Sequence, residues 1–366
     1  MSNNASGMNY APKGKPNLVV KPGEFVFAAA GLDHGHIGGQ CNGLIEAGGT
    51  LRYIYDPDAK KLERYLTQYP MAKAARDLDE ILSDSEVKLV ASANIPSERC
   101  ALGIKCMEAG KDYFTDKAPL TSLEQLDAAK KTCKKTGKKY AVYYSERLHS
   151  EAAVFAGELI HDGAIGKVLQ TIGLGPHRIG GVTSRPDWFF KREKYGGILC
   201  DIGSHQCEQF LYYTKAKAAQ VVMAQVENYH YKDYPGLDDF GDCKLVADNG
   251  ATGYFRVDWF TPDGLSTWGD GRTFIMGTDG YIELRKYVDV AKSKSGSHLF
   301  LVNQQGEQYF DVGGKVGFPY FGQLILDCLN RTENAMTQEH TFLAAELSVR
   351  AQMLAEEAKG ITREVL

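Results

Sequence analysis

The chain has 366 residues, 43% of them hydrophobic and 24% charged, with a formal net charge of −4. This is the profile of a globular protein long enough for two domains. A near-neutral balance, with no Lys/Arg block beyond the short KKTGKK, excludes the electrostatic footprint of a nucleic-acid or anionic-membrane binder. Small, uncharged or acidic partners are expected instead.

Residues 1–24 are rich in proline, glycine and polar side chains and read as an extended arm or as a disordered tail. They lack the apolar core of a signal peptide, and no run in the chain approaches the roughly 18 apolar residues of a membrane span. Eight scattered cysteines without a C-x-x-C pair read as reduced thiols. Together these features predict a cytoplasmic protein.

From Phe25 the pattern alternates. FVFAAAG, LRYIYD, VKLVASA, KDYFTD and YAVYYS read as strands, with HIGGQCNGLIEAG, SERCALGIKCMEAG and TSLEQLDAAKKTCKKTG as helices between them. Such alternation predicts an α/β domain over residues 25–145, a doubly wound parallel sheet of Rossmann type. Gly48, Gly110 and Gly137 stand where its helices should end.

After about residue 145 the segments become β-rich: VLQTIGLG, AAQVVMAQVENY, CKLVADNGATGYFRVDWF, TFIMGTDGYIELR and HLFLVNQQGEQYFDV. Asn249-Gly250 and Asp279-Gly280 are hairpin signals. Residues 146–366 are therefore expected to form an α+β domain with a large, mostly antiparallel open sheet. Its closing amphipathic helix, ending at a glycine, should pack back toward the first domain.

AAAGLDHGHIGG follows the first strand and opens the first helix, where a glycine-rich turn lets a pyrophosphate approach backbone N–H groups. The spacing Gly31, Gly35, Gly38 is longer than usual in its first interval. Asp56 lies 25 positions after Gly31, at the end of LRYIYD, where a carboxylate can accept the adenosine ribose hydroxyls and repel a 2′-phosphate. The expected cofactor is NAD. His34 and His36 form an H-x-H pair in the turn, but no further ligands sit at a recognisable spacing, so they read as dinucleotide contacts and no metal is expected.

In FTDKAPLTSLEQ, Lys117 stands at a strand end, either as a donor to a substrate oxygen or as a surface lysine before a helix. In GGILCDIGSHQCEQ a helix over 198–211 would put Asp201 and His205 on one face, one turn apart. That pair reads either as a proton-handling unit or as a surface ion pair.

These residues resemble the Gfo/Idh/MocA family of nicotinamide-dependent oxidoreductases. AGKDYFTDKAP resembles the segment of that family ending in E-K-P, and GGILCDIGSHQCE resembles its G-G-x-x-x-D-x-G-x-H-x-x-D motif. The chain departs in three ways: Asp116 replaces the glutamate, Ala118 is inserted before Pro119, and the glycine turn is lengthened. The resemblance implies that Lys117, Asp201 and His205 are catalytic, with Glu208 on the motif's last acid. Gly31, His34, Gly35, His36, Ile37, Asp56, Asn94, Pro96 and Lys117 would hold the cofactor. Arg99 stands where a histidine is common.

The implied reaction moves a hydride from a ring carbon bearing a hydroxyl to the nicotinamide. His205 is the base, Asp201 biases its ring, and Lys117 stabilises the oxyanion. GPHRIGGVTSRPDWFFKREKYGG suggests a pocket for a polyhydroxylated ring with His177, Arg178 and Trp188, while YYSERLHS adds Arg147 and His149. The wording of GLDHGHI and TDKAPLTSLEQ is most similar to a bacterial subgroup oxidising C3 of the glucosyl unit in glycosides, including C-glycosides such as puerarin. A separate enzyme could then cleave the aglycone. Competing readings are an NAD-dependent glycosidase that recycles its cofactor, an inositol or cyclitol dehydrogenase, and a non-enzymatic sensor. A homo-oligomer is expected.

Overall fold

The computed structural model describes residues 6–365, with side chains through residue 359. It divides into two compact units. Residues 1–5 of the expected arm lie outside the described residues.

The nucleotide unit comprises Met8–Tyr143 and Gly317–Phe342. Its strands are β1 (Val26–Ala30), β2 (Thr50–Tyr55), β3 (Lys73–Ala74), β4 (Val87–Ser92), β5 (Asp112–Asp116) and β6 (Tyr140–Tyr143). They pair in parallel in the order β3-β2-β1-β4-β5-β6. β1 and β5 are buried at every position, as a parallel sheet covered on both faces requires. The order reverses between β1 and β4, and ligands of open α/β sheets bind at such a switch point.

Local signals place the helices. Pro96 opens the helix Pro96–Glu108, Ser122 caps Leu123–Thr136 by accepting the Gln125 N–H, and Gly137 ends it at φ +66°. The short strand β3 and the helices Ala59–Gln68 and Leu78–Ser83 were not apparent from the hydrophobic pattern. Ala59–Gln68 buries only Tyr65. The helix Pro319–Asn330, which chain order assigns to the second domain, folds with this unit. Arg331 just beyond it forms a salt bridge with Asp112 at the start of β5.

The arm is ordered along the first helix, Ile37–Glu46. Asn17 and Val19 donate backbone N–H groups to the Glu46 and Ala47 carbonyls, and the Glu46 carboxylate accepts the Gly14 N–H at 2.9 and 3.0 Å.

The sheet unit comprises Tyr144–Val316 and Leu343 onward, with Gly7 packed on it. Its strands are β7 (Val168–Pro176), β8 (Ala219–Glu227), β9 (Phe240–Ala247), β10 (Thr252–Asp258), β11 (Arg272–Gly277), β12 (Gly280–Arg285), β13 (His298–Asn303) and β14 (Gly306–Asp311). They form one eight-stranded sheet, β14-β13-β12-β11-β7-β10-β9-β8. The pairing is antiparallel except between β7 and β10.

One face is covered. Ala152, Ala153, Ala156 and Ile160 of the helix Glu151–His161 pack on Ile275, Ile282, Leu284 and Leu299. The helix Gly203–Thr214 lies against β7 and β10, and a Cβ at Gly173 would come within 2.2 Å of the Gln206 side chain, so glycine there permits the close approach. On the other face Ile172, Phe274, Met276 and Tyr281 are 37–48% exposed, with Ile172 opposite Phe274 and Met276 opposite Tyr281. The last helix continues to Val365, through the glycine at 360 expected to end it. An interior glycine costs only about 1 kcal/mol against alanine, which a helix of this length absorbs.

Candidate active site

In the nucleotide unit, β1 ends at Gly31, whose φ of +72° suits glycine. A Cβ there would stand 2.7 Å from Cβ of Asn94, so the loops after β1 and β4 approach closely at the switch point. Asp56, 5% exposed at the end of β2, accepts the Leu32 N–H at 2.7 Å through Oδ2 and the Asp58 N–H at 2.9 Å through Oδ1. A carboxylate has about four acceptor positions, so capacity for two ribose hydroxyls is left. The glycine turn, the crowded switch point and this acid fit a dinucleotide. Ile37 opens the first helix at the end of the turn, and Pro96 opens another beyond Asn94.

The lengthened turn folds over β5. His36 Nδ1 lies 2.9 Å from Asp116 Oδ1 and His34 Nδ1 lies 3.4 Å from Oδ2. The third potential ligand that the H-x-H pair lacks in sequence is thus supplied from 80 residues away, and the three ligand atoms lie within 4.8 Å of one another. Arg99, wholly buried, reaches the same carboxylate at 3.2 Å. Burial raises the Asp116 carboxyl, but His36, Arg99 and His34 outweigh it and hold the group well below the usual carboxylate range. Burial and the neighbouring His36 push His34 well below the ordinary imidazole value.

Arg99 also donates to the carbonyls of Asn94, Lys117 and Ala118, tying the β4 and β5 loops together. Lys117 is 3% exposed, which rules out the surface-lysine reading. The Met8 carbonyl and Asn9 lie against Gly35, placing the arm on the glycine turn, a contact the sequence pattern does not signal.

In the sheet unit, Asp201 and His205 are 9% and 1% exposed, which removes the surface ion-pair reading. The expected single helix is two, Ile198–Asp201 and Gly203–Thr214, joined at Ile202. The His205 N–H turns to the Ile202 carbonyl, and the Asp201 carbonyl accepts the Ser204 hydroxyl instead. Burial pushes the Arg185 guanidinium down to about 10, with Asp201 acting in the opposite sense. Arg185 stacks on Phe189 and Trp259.

The expected substrate residues have varied surroundings. Arg147 makes a two-pronged bond to Glu208, with Nε 2.7 Å from Oε1, and lies over the Tyr212 ring. Arg178 donates to the Pro262 and Leu265 carbonyls at 2.8 and 2.7 Å, so its guanidinium holds a loop. His177 is boxed by Trp259 and Trp268, His149 is 1% exposed, and Trp188 is half-buried beside Phe189. Glu146 and Lys286, both buried and ion-paired at 3.0 Å, were not singled out in the sequence, although Glu146 adjoins Arg147 in YYSERLHS.

Comparison with known proteins agrees with this geometry. Residues 33–144 match the oxidoreductase family with an NAD-binding Rossmann fold, and residues 154–283 match the GFO/IDH/MocA C-terminal domain. The chain belongs to the Gfo/Idh/MocA family. A solved structure from Erwinia carotovora atroseptica SCRI1043 is 50% identical over 90% of this chain and 98% of its own, with a TM-score of 0.87. D-xylose dehydrogenase of Paenarthrobacter nicotinovorans is 28% identical over 40% of this chain, and the match spans only 38% of that protein. The NAD-dependent scyllo-inositol 2-dehydrogenase of Bacillus subtilis strain 168 is 26% identical over 68% of this chain and 71% of its own. The chain is therefore a member of an oxidoreductase family and carries that family's NAD-binding Rossmann fold. All eight of its cysteines are free, and no helix among the described residues is long and apolar enough to cross a membrane.

Proposed function

We propose that the protein is an NAD-dependent dehydrogenase of a sugar, polyol or glycoside, oxidising a secondary ring hydroxyl to a ketone. The observation that carries this reading is the burial of Lys117, Asp201 and His205, the three positions on the family's catalytic pattern.

In this reading His205 takes the hydroxyl proton, Asp201 biases the imidazole toward its charged form, and Lys117 stabilises the oxygen as charge develops. NAD, when bound, supplies the hydride acceptor. Gly31, Gly35 and Ile37 would hold its diphosphate and Asp56 would accept its ribose hydroxyls. His149, His177 and Trp188 are the remaining candidates for contact with the substrate ring.

The finer proposal is oxidation at C3 of a glucosyl unit, giving a 3-oxo-glycoside, with a C-glycoside such as puerarin as the most specific candidate. The ketone acidifies the neighbouring C2 proton, so a separate cleaving enzyme could act on the product. A cyclitol substrate is the second reading, favoured by the length of the match to the scyllo-inositol enzyme.

NADH absorbance with a panel of glucosides, free sugars and inositols tests the assignment. Turnover on an inositol but on no glycoside would replace the first reading by the second. Product release without net NADH would indicate a glycosidase. His205→Ala should lower kcat by about 10²–10⁴ while NADH affinity is kept, as loss of a placed base does.

A further inference from the structure

Glu146 follows two residues after Tyr144, whose ring meets the His205 imidazole edge-on at 6.4 Å between centroids. The Glu146 side chain is 2% exposed. Its Oε2 accepts Gln206 Nε2 at 2.9 Å and Lys286 Nζ at 3.0 Å, and Lys286 also donates to Gln209 Oε1 at 2.8 Å. Gln206 adjoins His205, and Gln209 Nε2 donates to the His205 carbonyl one turn on. The carboxylate is thus anchored to the segment that carries His205.

Its other oxygen, Oε1, has no hydrogen-bond partner and stands 3.9 Å from His177 Nε2. His177 Nδ1 lies 3.1 Å from the Gly175 carbonyl, which can only accept, so Nδ1 carries a proton. Trp268 and Trp259 flank the His177 ring at 4.6 and 5.5 Å between centroids.

A buried Lys–Glu pair gains little net stability over apolar residues of the same volume. Its field on neighbouring imidazoles is another matter, because the interior screens it weakly.

We propose that Glu146 is a positioning residue for His205. Anchored by Lys286, its sealed carboxylate favours the imidazolium that His205 becomes on taking the substrate proton. The inference rests on the reading of His205 as the base. Burial raises the Glu146 carboxyl, but Lys286, His205 and His177 in that order outweigh it and hold the group at about 2. The coupling between a carboxylate and an imidazole is reciprocal. The other charged groups of this neighbourhood are Asp201 with Arg185, and the Arg147–Glu208 pair.

The test is an NMR titration of the full-length protein carrying labelled histidines, with the His205 signal assigned from His205→Gln. Glu146→Gln should lower the His205 pKa by about 1–3 units, the range for losing a close opposite charge. Glu146→Asp should recover most of the shift. Lys286→Met, which strips the carboxylate of its counter-ion, should move His205 upward. Glu146→Gln/Lys286→Met buries no lone charge and guards against misfolding, and His205 should titrate lower in it than in Lys286→Met, which keeps the carboxylate.

If His205 titrates in the folded double variant as in Lys286→Met, Glu146 is only a buried structural anion and the inference fails. Normal turnover by His205→Ala would instead remove the base assignment itself. The two failures are therefore distinguishable.

Discussion

Asp56→Ala separates two jobs done by one carboxylate. In the protein without cofactor, Asp56 satisfies the Leu32 N–H at 2.7 Å and the Asp58 N–H at 2.9 Å. The Leu32 position is buried, so alanine leaves that donor without a partner, at a cost of about 1–3 kcal/mol. Asp58 is exposed and water can replace the second bond at little cost. The unliganded variant should therefore lose about 1–3 kcal/mol in urea unfolding. Ribose hydroxyls donating to a carboxylate add about 1.5–3 kcal/mol to binding, so the NAD dissociation constant should rise about 10–150-fold. NADP binding should weaken far less, because the lost carboxylate also repelled its 2′-phosphate. Calorimetric titration of both dinucleotides into parent and variant measures the difference. Unchanged NAD affinity alongside lost stability would show that Asp56 only staples the turn, and the cofactor argument built on it would fall.

The exposed Ile172, Phe274, Met276 and Tyr281 form an apolar face that a second copy of the chain should cover, so light scattering should give a homo-oligomer, and Phe274→Asp should shift it toward monomer. Glu146 has a folded-state pKa of about 2 against an ordinary 4.5. Because the pKa is depressed, the parent keeps this group's contribution above roughly pH 4.5 and loses up to about 3 kcal/mol as pH falls toward 2, a loss Glu146→Gln/Lys286→Met should not show, so the parent's urea midpoint should drop relative to the double variant's on acidification. Asp116 already shares its carboxylate between His36 and Arg99, and the guanidinium repels a dication. Elemental analysis should therefore find no stoichiometric metal, and EDTA should leave NADH affinity unchanged.

What could be read from the chain divides by sequence distance. β1, β4 and β5 announce themselves as apolar runs because both of their faces are buried, and Gly31 and Asp56 mark the switch point because the fold needs those residue types at a roughly fixed interval. The helix Ala59–Gln68 did not show because one buried ring leaves no apolar stripe to see. Glu146 and Lys286 are 140 positions apart, on a short helical turn and just past β12. Neither has a local pattern, and their pairing exists only once the sheet brings them together. Arg178 and Arg147 were legible as charged residues in the right segment, but their partners, two loop carbonyls and Glu208, could not be assigned without coordinates.

The departures from the family pattern look independent in sequence and are one contact set in space. Lengthening the glycine turn brings His34 and His36 over the end of β5, where they meet Asp116, the residue replacing the motif's glutamate. Asp116 in turn holds Arg99, found where a histidine is common, and Arg99 spends its other donors on the carbonyls of Asn94, Lys117 and the inserted Ala118. A histidine at position 99 has only two ring nitrogens and could not bind three carbonyls and a carboxylate. A neutral residue at 116 would leave Arg99 buried without a counter-charge. Each change is therefore explained by the others. Together they form a buried arginine clamp that keeps Lys117 in a fixed backbone setting although the motif around it departs from the family's.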